Sequence, residues 1–370
     1  MLSTAQLRLQ VHAWIGDDPD SASRDELTAL VDALPGSEAQ LQDRFSGPLT
    51  FGTAGLRGPL RAGPNGMNRV VVARAAAGLA AYLDQVDATG PVVIGFDARY
   101  GSEQFAHDTA RIIQGSGRTA MVLPRALPTP VLAFSVQHLN AAVGVMVTAS
   151  HNPPADNGYK VYLGGAAGRD AQIVPPADSG ISNCIAAIDT VFDLARADQY
   201  EILDESIVEA YVAAAAGVVL PDSPRDLVAV STALHGVGGP ILASAFARAG
   251  FAAPIAVAEQ QLPNPDFPGL AFPNPEEPNV MDAVIKLAQQ ANADIAIAND
   301  PDADRCAIAA VLDGQWRALR GDELGILLAE HLIRRGEQGT YATTIVSSSL
   351  LGKLCQRRGV PYAATLTGFK

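Results

Sequence analysis

VVIGFDARYGSEQFAHDTARIIQGSG, residues 92–117, carries two hydrophobic periodicities in one segment. VVIGF is a short, continuous apolar run, the pattern of a strand covered on both faces. After Ser102, the apolar residues Phe105, Ala106, Ala110, Ile112 and Ile113 recur at helical spacing. The same alternation runs down the chain. AVGVMVTA (142–149), DLVAVSTAL (226–234), APIAVAEQ (253–260), DIAIAND (294–300) and TTIVSSS (343–349) read as strands, and MDAVIKLAQQANA (281–293) as a helix. Strands alternating with helices predict an α/β chain with largely parallel sheets, whose sites lie beyond the carboxyl ends of the strands.

At 370 residues the chain exceeds one compact core and predicts two or three domains. With 48% hydrophobic and 18% charged residues it is globular. A net charge of −13 excludes nucleic acid and anionic membrane as natural partners, and an anionic substrate would need local cations or a metal. No stretch reaches the ~18 uncharged apolar residues of a membrane span. MLSTAQLRLQVHAWIGDDPD lacks an apolar signal core and turns acidic early, so a cytoplasmic location is expected. Cys184, Cys306 and Cys355 have neither metal nor disulfide spacing and read as free thiols in a reducing compartment. Composition shifts at 196–225, where DESIVEAYVAAAA runs into PDSPRD, and again near 318. LPNPDFPGLAFPNPEEPN, within 261–280, is too long for a simple connection; it reads as functional or as packed over a domain seam.

Three segments carry chemistry. NDPDADR (299–305) ends the strand DIAIA and sets Asp300, Asp302 and Asp304 at alternate positions. In a flat strand the outer two would lie roughly 13 Å apart, so one ion reaches all three only if the chain curls, which Pro301 favours. Carboxylates ~4 Å apart repel by ~4 kcal/mol at an effective dielectric near 20, so such a cluster calls for a cation. All-oxygen ligands point to Mg²⁺; the bland alternative is a solvated acidic turn. An EF-hand is excluded, because Arg305 and Val311 stand where its Gly and Glu belong. TASHNP (148–153) follows AAVGVMV. It reads either as a polar turn or as the mouth of a site where Ser150, if phosphorylated, supplies a further metal ligand and a phosphoryl donor. Ten residues on, Lys160 is a candidate proton carrier, given a lowered pKa, or a phosphate ligand; alone it would read as a strand-edge lysine. In FGTAGLRG (51–58), glycines permit close backbone approach to a ligand, and Arg57 can fork onto phosphate; by itself this loop is common.

Together these segments resemble the α-D-phosphohexomutase family, the phosphoglucomutases and phosphomannomutases. The likeness extends through NGYKVY, TALHGVGG (232–239), PNPDFP with FPNPEEP, and TLTGFK (365–370), in the family's order. It implies successive three-layer α/β/α domains with mixed, mostly parallel sheets and an incomplete third domain. The expected organisation is an N-terminal helical extension over 1–45, domain I over 46–205, domain II over 206–318 and a partial domain III over 319–370. It further implies hexose 1-phosphate/6-phosphate interconversion through phosphorylated Ser150 and a sugar 1,6-bisphosphate. Asp300, Asp302, Asp304 and phosphoserine would hold Mg²⁺, with Lys160 as general acid/base. Arg57, His151 and Arg305 would bind substrate near the phosphoserine, and Thr367 would bind it from a third-domain loop. Ala54, where glucosamine-type members carry aspartate, leans toward hexose or pentose phosphates, so phosphopentomutase is an alternative.

Family members continue beyond TLTGFK through a loop that reads sugar hydroxyls and a fourth, phosphate-binding domain. Neither occurs in this sequence, which implies a truncated third domain with uncovered apolar surface. A catalytically silent remnant and a hydrolytic phosphatase are therefore further alternatives. His12, His107, His138, His235 and His331 show no ligand spacing.

Overall fold

The computed structural model describes residues 2–168 and 171–367. Its first sheet comprises β1 (Leu56–Pro59), β2 (Val92–Phe96), β3 (Ala120–Val122), β4 (Val143–Val147), β5 (Asp156–Leu163), β6 (Ala171–Gln172) and β7 (Glu201–Ile202). The strand order is β1-β5-β4-β2-β3-β7, with β6 on β5. β4, β2, β3 and β7 run parallel, and β5 turns back antiparallel to both β4 and β1. The second sheet holds β8 (Ala229–Thr232), β9 (Ile255–Ala256), β10 (Ile295–Asn299), β11 (Cys306–Leu312) and β12 (Gln315–Ala318), ordered β12-β11-β10-β8-β9. Here β10, β8 and β9 are parallel, while β11 and β12 form an antiparallel edge. A third unit pairs β13 (Tyr341–Thr344) and β14 (Tyr362–Thr365) in parallel beside the helices Gly321–Arg334 and Leu350–Arg358.

Every residue of β2 and β4 is buried, because their alternate side chains enter two different cores. Val92, Ile94, Phe96, Val143, Val145 and Val147 face one core, with the helices Arg69–Gln85 and Ser102–Gly115. Val93 and Met146 face the other, with Leu132 and Val136 of Thr129–His138. The N-terminal helices Thr4–Asp17, Ser21–Asp32 and Glu38–Arg44 join the first core through Leu7, Val11, Trp14, Leu27, Val31 and Leu41. They are thus an integral part of that layer. Among the described residues no helix is long and apolar enough to cross a membrane.

One expectation changes and another holds. The strand read over 343–349 ends at Thr344, and Ser347 N–H already turns back onto the Thr344 carbonyl. The β-branched run there is therefore spent partly on a turn, and the strand begins earlier, at Tyr341. The Pro-rich segment 261–280 does lie on the domain seam: Asp266 accepts from Tyr100 Oη at 3.0 Å, and the Phe267 ring lies 4.8 Å from the Arg99 guanidinium.

The glycine reading of 51–58 also needs revision. Gly55, at φ +77, has its close approach to protein backbone, where an added Cβ would stand 1.8 Å from the Tyr159 carbonyl oxygen. Gly55→Ala should therefore push β1 off β5 and lower stability by about 3 kcal/mol. Chemical denaturation checks this; a change below about 0.5 kcal/mol would contradict the packing.

Candidate active site

Several chain segments converge at the carboxyl ends of β2, β4 and β10. After β4, the residues Thr148, Ala149 and Ser150 turn sharply, and Ser150 adopts a left-handed φ of +54 with 2% exposure. An L-residue holds that conformation only where its surroundings compensate. Here Ser150 N–H donates to Thr148 Oγ1 at 2.8 Å, and Thr148 Oγ1 donates to Asp97 Oδ2 at 2.6 Å. The Ser150 carbonyl accepts from Arg99 Nη2 at 2.7 Å.

Ser150 Oγ reaches across the seam. It donates to Asp300 Oδ2 at 2.9 Å, accepts from Arg305 Nη2 at 3.0 Å and lies 3.4 Å from His151 Nδ1. Asp300 follows β10 directly, and the chain then curls: Ala303, at φ +53, donates back to the Asp300 carbonyl, and Arg305 N–H caps Asp300 Oδ1 at 3.0 Å. The curl brings one carboxylate oxygen from each of Asp300, Asp302 and Asp304 within 4.8 Å of one another. The turn 232–239 supports it from below. Val237 N–H donates to the Pro301 carbonyl at 2.9 Å, and a Cβ on Gly236 would stand 2.2 Å from that oxygen. His235 belongs to this support through its backbone, which pairs with Gln260 and Asn264.

Lys160, on β5, projects into the cluster, with Nζ 2.6 Å from Asp302 Oδ2 and 2.7 Å from Asp304 Oδ2. Burial alone would lower its pKa, but the carboxylates of Asp302 and Asp304 outweigh burial and hold the ammonium well above its ordinary range. That direction is opposite to the lowered pKa expected of a proton carrier. The two buried carboxylates of the cluster shift in opposite directions. Burial and then the charges of Asp302 and Asp304 push Asp300 up, whereas Lys160, against burial, holds Asp302 down. Burial, then the Arg305 and Arg57 cations, push His151 down to about 4, so its imidazole is neutral and accepts from Arg305 Nη2.

The residues present suit a divalent cation. Asp302 Oδ2 takes Thr129 Oγ1 at 2.5 Å in addition to Lys160, yet its Oδ1 is buried without a hydrogen-bond partner. An orphaned carboxylate oxygen inside an all-oxygen cluster is the donor that a hard cation uses. Beside it opens a cleft of ≈ 440 Å³ whose lining includes Arg57, Ser150, His151, Lys160, Asp304 and Arg305. Arg57 approaches Asn152 Oδ1 at 3.4 Å. Thr367, exposed beyond β14, is not among the residues lining this cleft.

Sequence reading passed over Asp97, Arg99, Thr129 and Thr148. Asp97 and Arg99 stand at the carboxyl end of β2, where the topology rule points, but a single Asp and Arg after a strand carry no spacing signal. Thr129 opens a helix, and only the fold shows that it reaches Asp302.

The family described as phosphoglucomutase/phosphomannomutase matches this chain over three successive alpha/beta/alpha domains: domain I at residues 48–191, domain II at 209–312 and domain III at 320–370. A Haemophilus influenzae protein named "Probable phosphomannomutase" is 47% identical over 310 residues, 82% of this chain. A Homo sapiens protein named "Phosphopentomutase" is 33% identical over 407 residues, 99% of this chain. The chain spans 64% of the length of each of these two relatives. A solved structure of a phosphoglucomutase/phosphomannomutase family protein from Burkholderia thailandensis shares the fold with a TM-score of 0.72 at 23% identity, covering 86% of this chain and 66% of that one. The chain belongs to the phosphoglucomutase/phosphomannomutase family.

Proposed function

We propose that this chain carries the phosphoryl-transfer machinery of a phosphosugar mutase, interconverting hexose 1-phosphate and hexose 6-phosphate through phosphorylated Ser150 and a sugar 1,6-bisphosphate. One observation carries the reading. A buried serine hydroxyl, held in a strained conformation, faces Asp300 and Arg305 of another sheet at the floor of an open cleft. Buried strain of this kind at a polar cleft supports a reacting group.

Asp300, Asp302, Asp304 and phosphorylated Ser150 would hold Mg²⁺. Bound there, it would neutralise charge on the transferring phosphoryl group. The chain's own residues do the rest. Arg305 donates to Ser150 Oγ and braces Asp300. Lys160 presents a positive charge to the cleft beside the serine and suits holding a phosphate oxygen there. Neutral His151 keeps Arg305 aimed at the serine oxygen, and Arg57 offers a further phosphate donor at the rim. Catalysis of this type is mostly positioning and charge neutralisation, which these groups supply.

A hexose substrate follows the relative with 47% identity, named for a mannose phosphate; the relative named for a pentose phosphate aligns over 99% of the chain and favours ribose 1-phosphate as the second substrate to test. A coupled assay with Mg²⁺ and a trace of the matching sugar bisphosphate decides. Mannose or glucose 1-phosphate is expected to give kcat/KM at least about tenfold above ribose 1-phosphate. The reverse order would make the chain a pentose-phosphate enzyme. Inorganic phosphate in place of isomerised sugar would make it a phosphatase, and no turnover by the folded chain would make it a silent member of the family.

A further inference from the structure

The groups that hold Ser150 in its left-handed conformation both lead back to the segment following β2. Its N–H leads through Thr148 Oγ1 to Asp97, and its carbonyl ends on Arg99. Arg99 is 4% exposed and does more than hold that carbonyl. Nη2 also donates to the Asn152 carbonyl at 2.6 Å, while Nη1 donates to Pro153 at 2.8 Å and to Asp156 at 3.1 Å. One guanidinium thus gathers four carbonyls across the connection between β4 and β5. Its open face is covered from the other domain, where Phe267, 3% exposed and itself at φ +43, lies 4.8 Å from Arg99 Cζ. Tyr100 Oη, next in sequence, donates to Asp266 Oδ1 at 3.0 Å. A planar guanidinium suits this double use, edge-on to carbonyls and face-on to an aromatic ring; an ammonium does not.

We infer that Arg99 is a positioning residue for Ser150 and that Phe267 is its cap from the opposite domain, so that one contact both closes the seam and aims the serine oxygen at Asp300. The inference rests on the mutase reading. The step it governs is phosphorylation of the enzyme. The Ser150 Oγ–P bond forms, the sugar O–P bond of the bisphosphate breaks, and the serine proton ends on the departing sugar oxygen, leaving a sugar monophosphate.

The test uses the full chain and hexose 1,6-bisphosphate carrying radiolabelled phosphate, with the label on Ser150 counted after rapid quenching. Arg99→Lys keeps the charge, but one ammonium cannot span four carbonyls. Its labelling rate is expected to fall about 100-fold, since a misplacement near 1 Å costs that much. Phe267→Leu keeps apolar volume without the ring and is expected to lose about tenfold, while Phe267→Tyr restores the rate. KM for the bisphosphate should stay within about threefold and Mg²⁺ affinity by calorimetry should be unchanged, because the carboxylates lie on the other sheet. Should Arg99→Lys lack a cooperative melt, the Phe267 pair decides alone. Labelling by Phe267→Leu, and by Arg99→Lys where it folds, within about twofold of wild type overturns the inference and leaves the mutase reading standing. Parallel losses of Mg²⁺ affinity and KM in the Phe267 variants overturn it too, since they mark general disorder. No label on wild-type Ser150 overturns the mutase reading, and this inference with it.

Discussion

Ser150→Ala is expected to abolish turnover, with a loss of at least about 10⁴-fold. A covalent route through one oxygen has no substitute once that oxygen is removed. The surroundings survive the change, because Arg305 keeps Asp300 at 3.0 and 3.2 Å through Nη2 and Nε without the hydroxyl. The variant should therefore melt cooperatively and bind Mg²⁺ as the unphosphorylated wild type does, through the three carboxylates. The coupled assay measures the loss, and intact mass after incubation with sugar bisphosphate shows one added phosphate on wild type and none on the variant. Residual turnover above about 1% of wild type would mean that phosphorus travels by another atom.

Asp302→Asn should damage both stability and metal binding. Asp302 is fully buried, accepts Thr129 Oγ1 and Lys160 Nζ on one oxygen, and leaves the other without a partner. The amide keeps the shape but removes the charge opposite Lys160, which is 2% exposed. Asp304 remains as its second partner at 2.7 Å, so the cost falls at the low end for a broken buried pair, about 3 kcal/mol. Mg²⁺ affinity should drop at least about 100-fold, and turnover with it. Asp304→Asn, at a more exposed carboxylate, should weaken Mg²⁺ with a much smaller stability change. Calorimetric titration and thermal melts separate the two effects. Wild-type Mg²⁺ affinity in Asp302→Asn would remove the metal from this site.

The sequence showed which segments matter better than how they act. NDPDADR and TASHNP are legible because unusual residue types recur at fixed offsets within a few positions. Lys160 was legible as a chemical group, but its protonation was not. Its pKa depends on carboxylates 142 and 144 residues away, and no local pattern encodes that distance. Arg99 was invisible for the complementary reason: its work is on backbone carbonyls, which every residue carries. Gly55 was read as serving a ligand when it serves the β1–β5 pairing, since a glycine's freedom does not announce which neighbour needs the space.

Local spacing by itself determined the α/β character, the Asp300–Asp302–Asp304 set and the serine at the strand mouth, because hydrophobic periodicity and short motifs are properties of adjacent residues. The meeting of these two loops was already implied by the family resemblance; only the tertiary structure decided that a lysine from a third strand stands between the carboxylates as a cation and that Arg99 and Phe267 sit at the join. Those outcomes follow from burial and from charges brought together across two sheets, and such energies exist only once the chain has closed on itself.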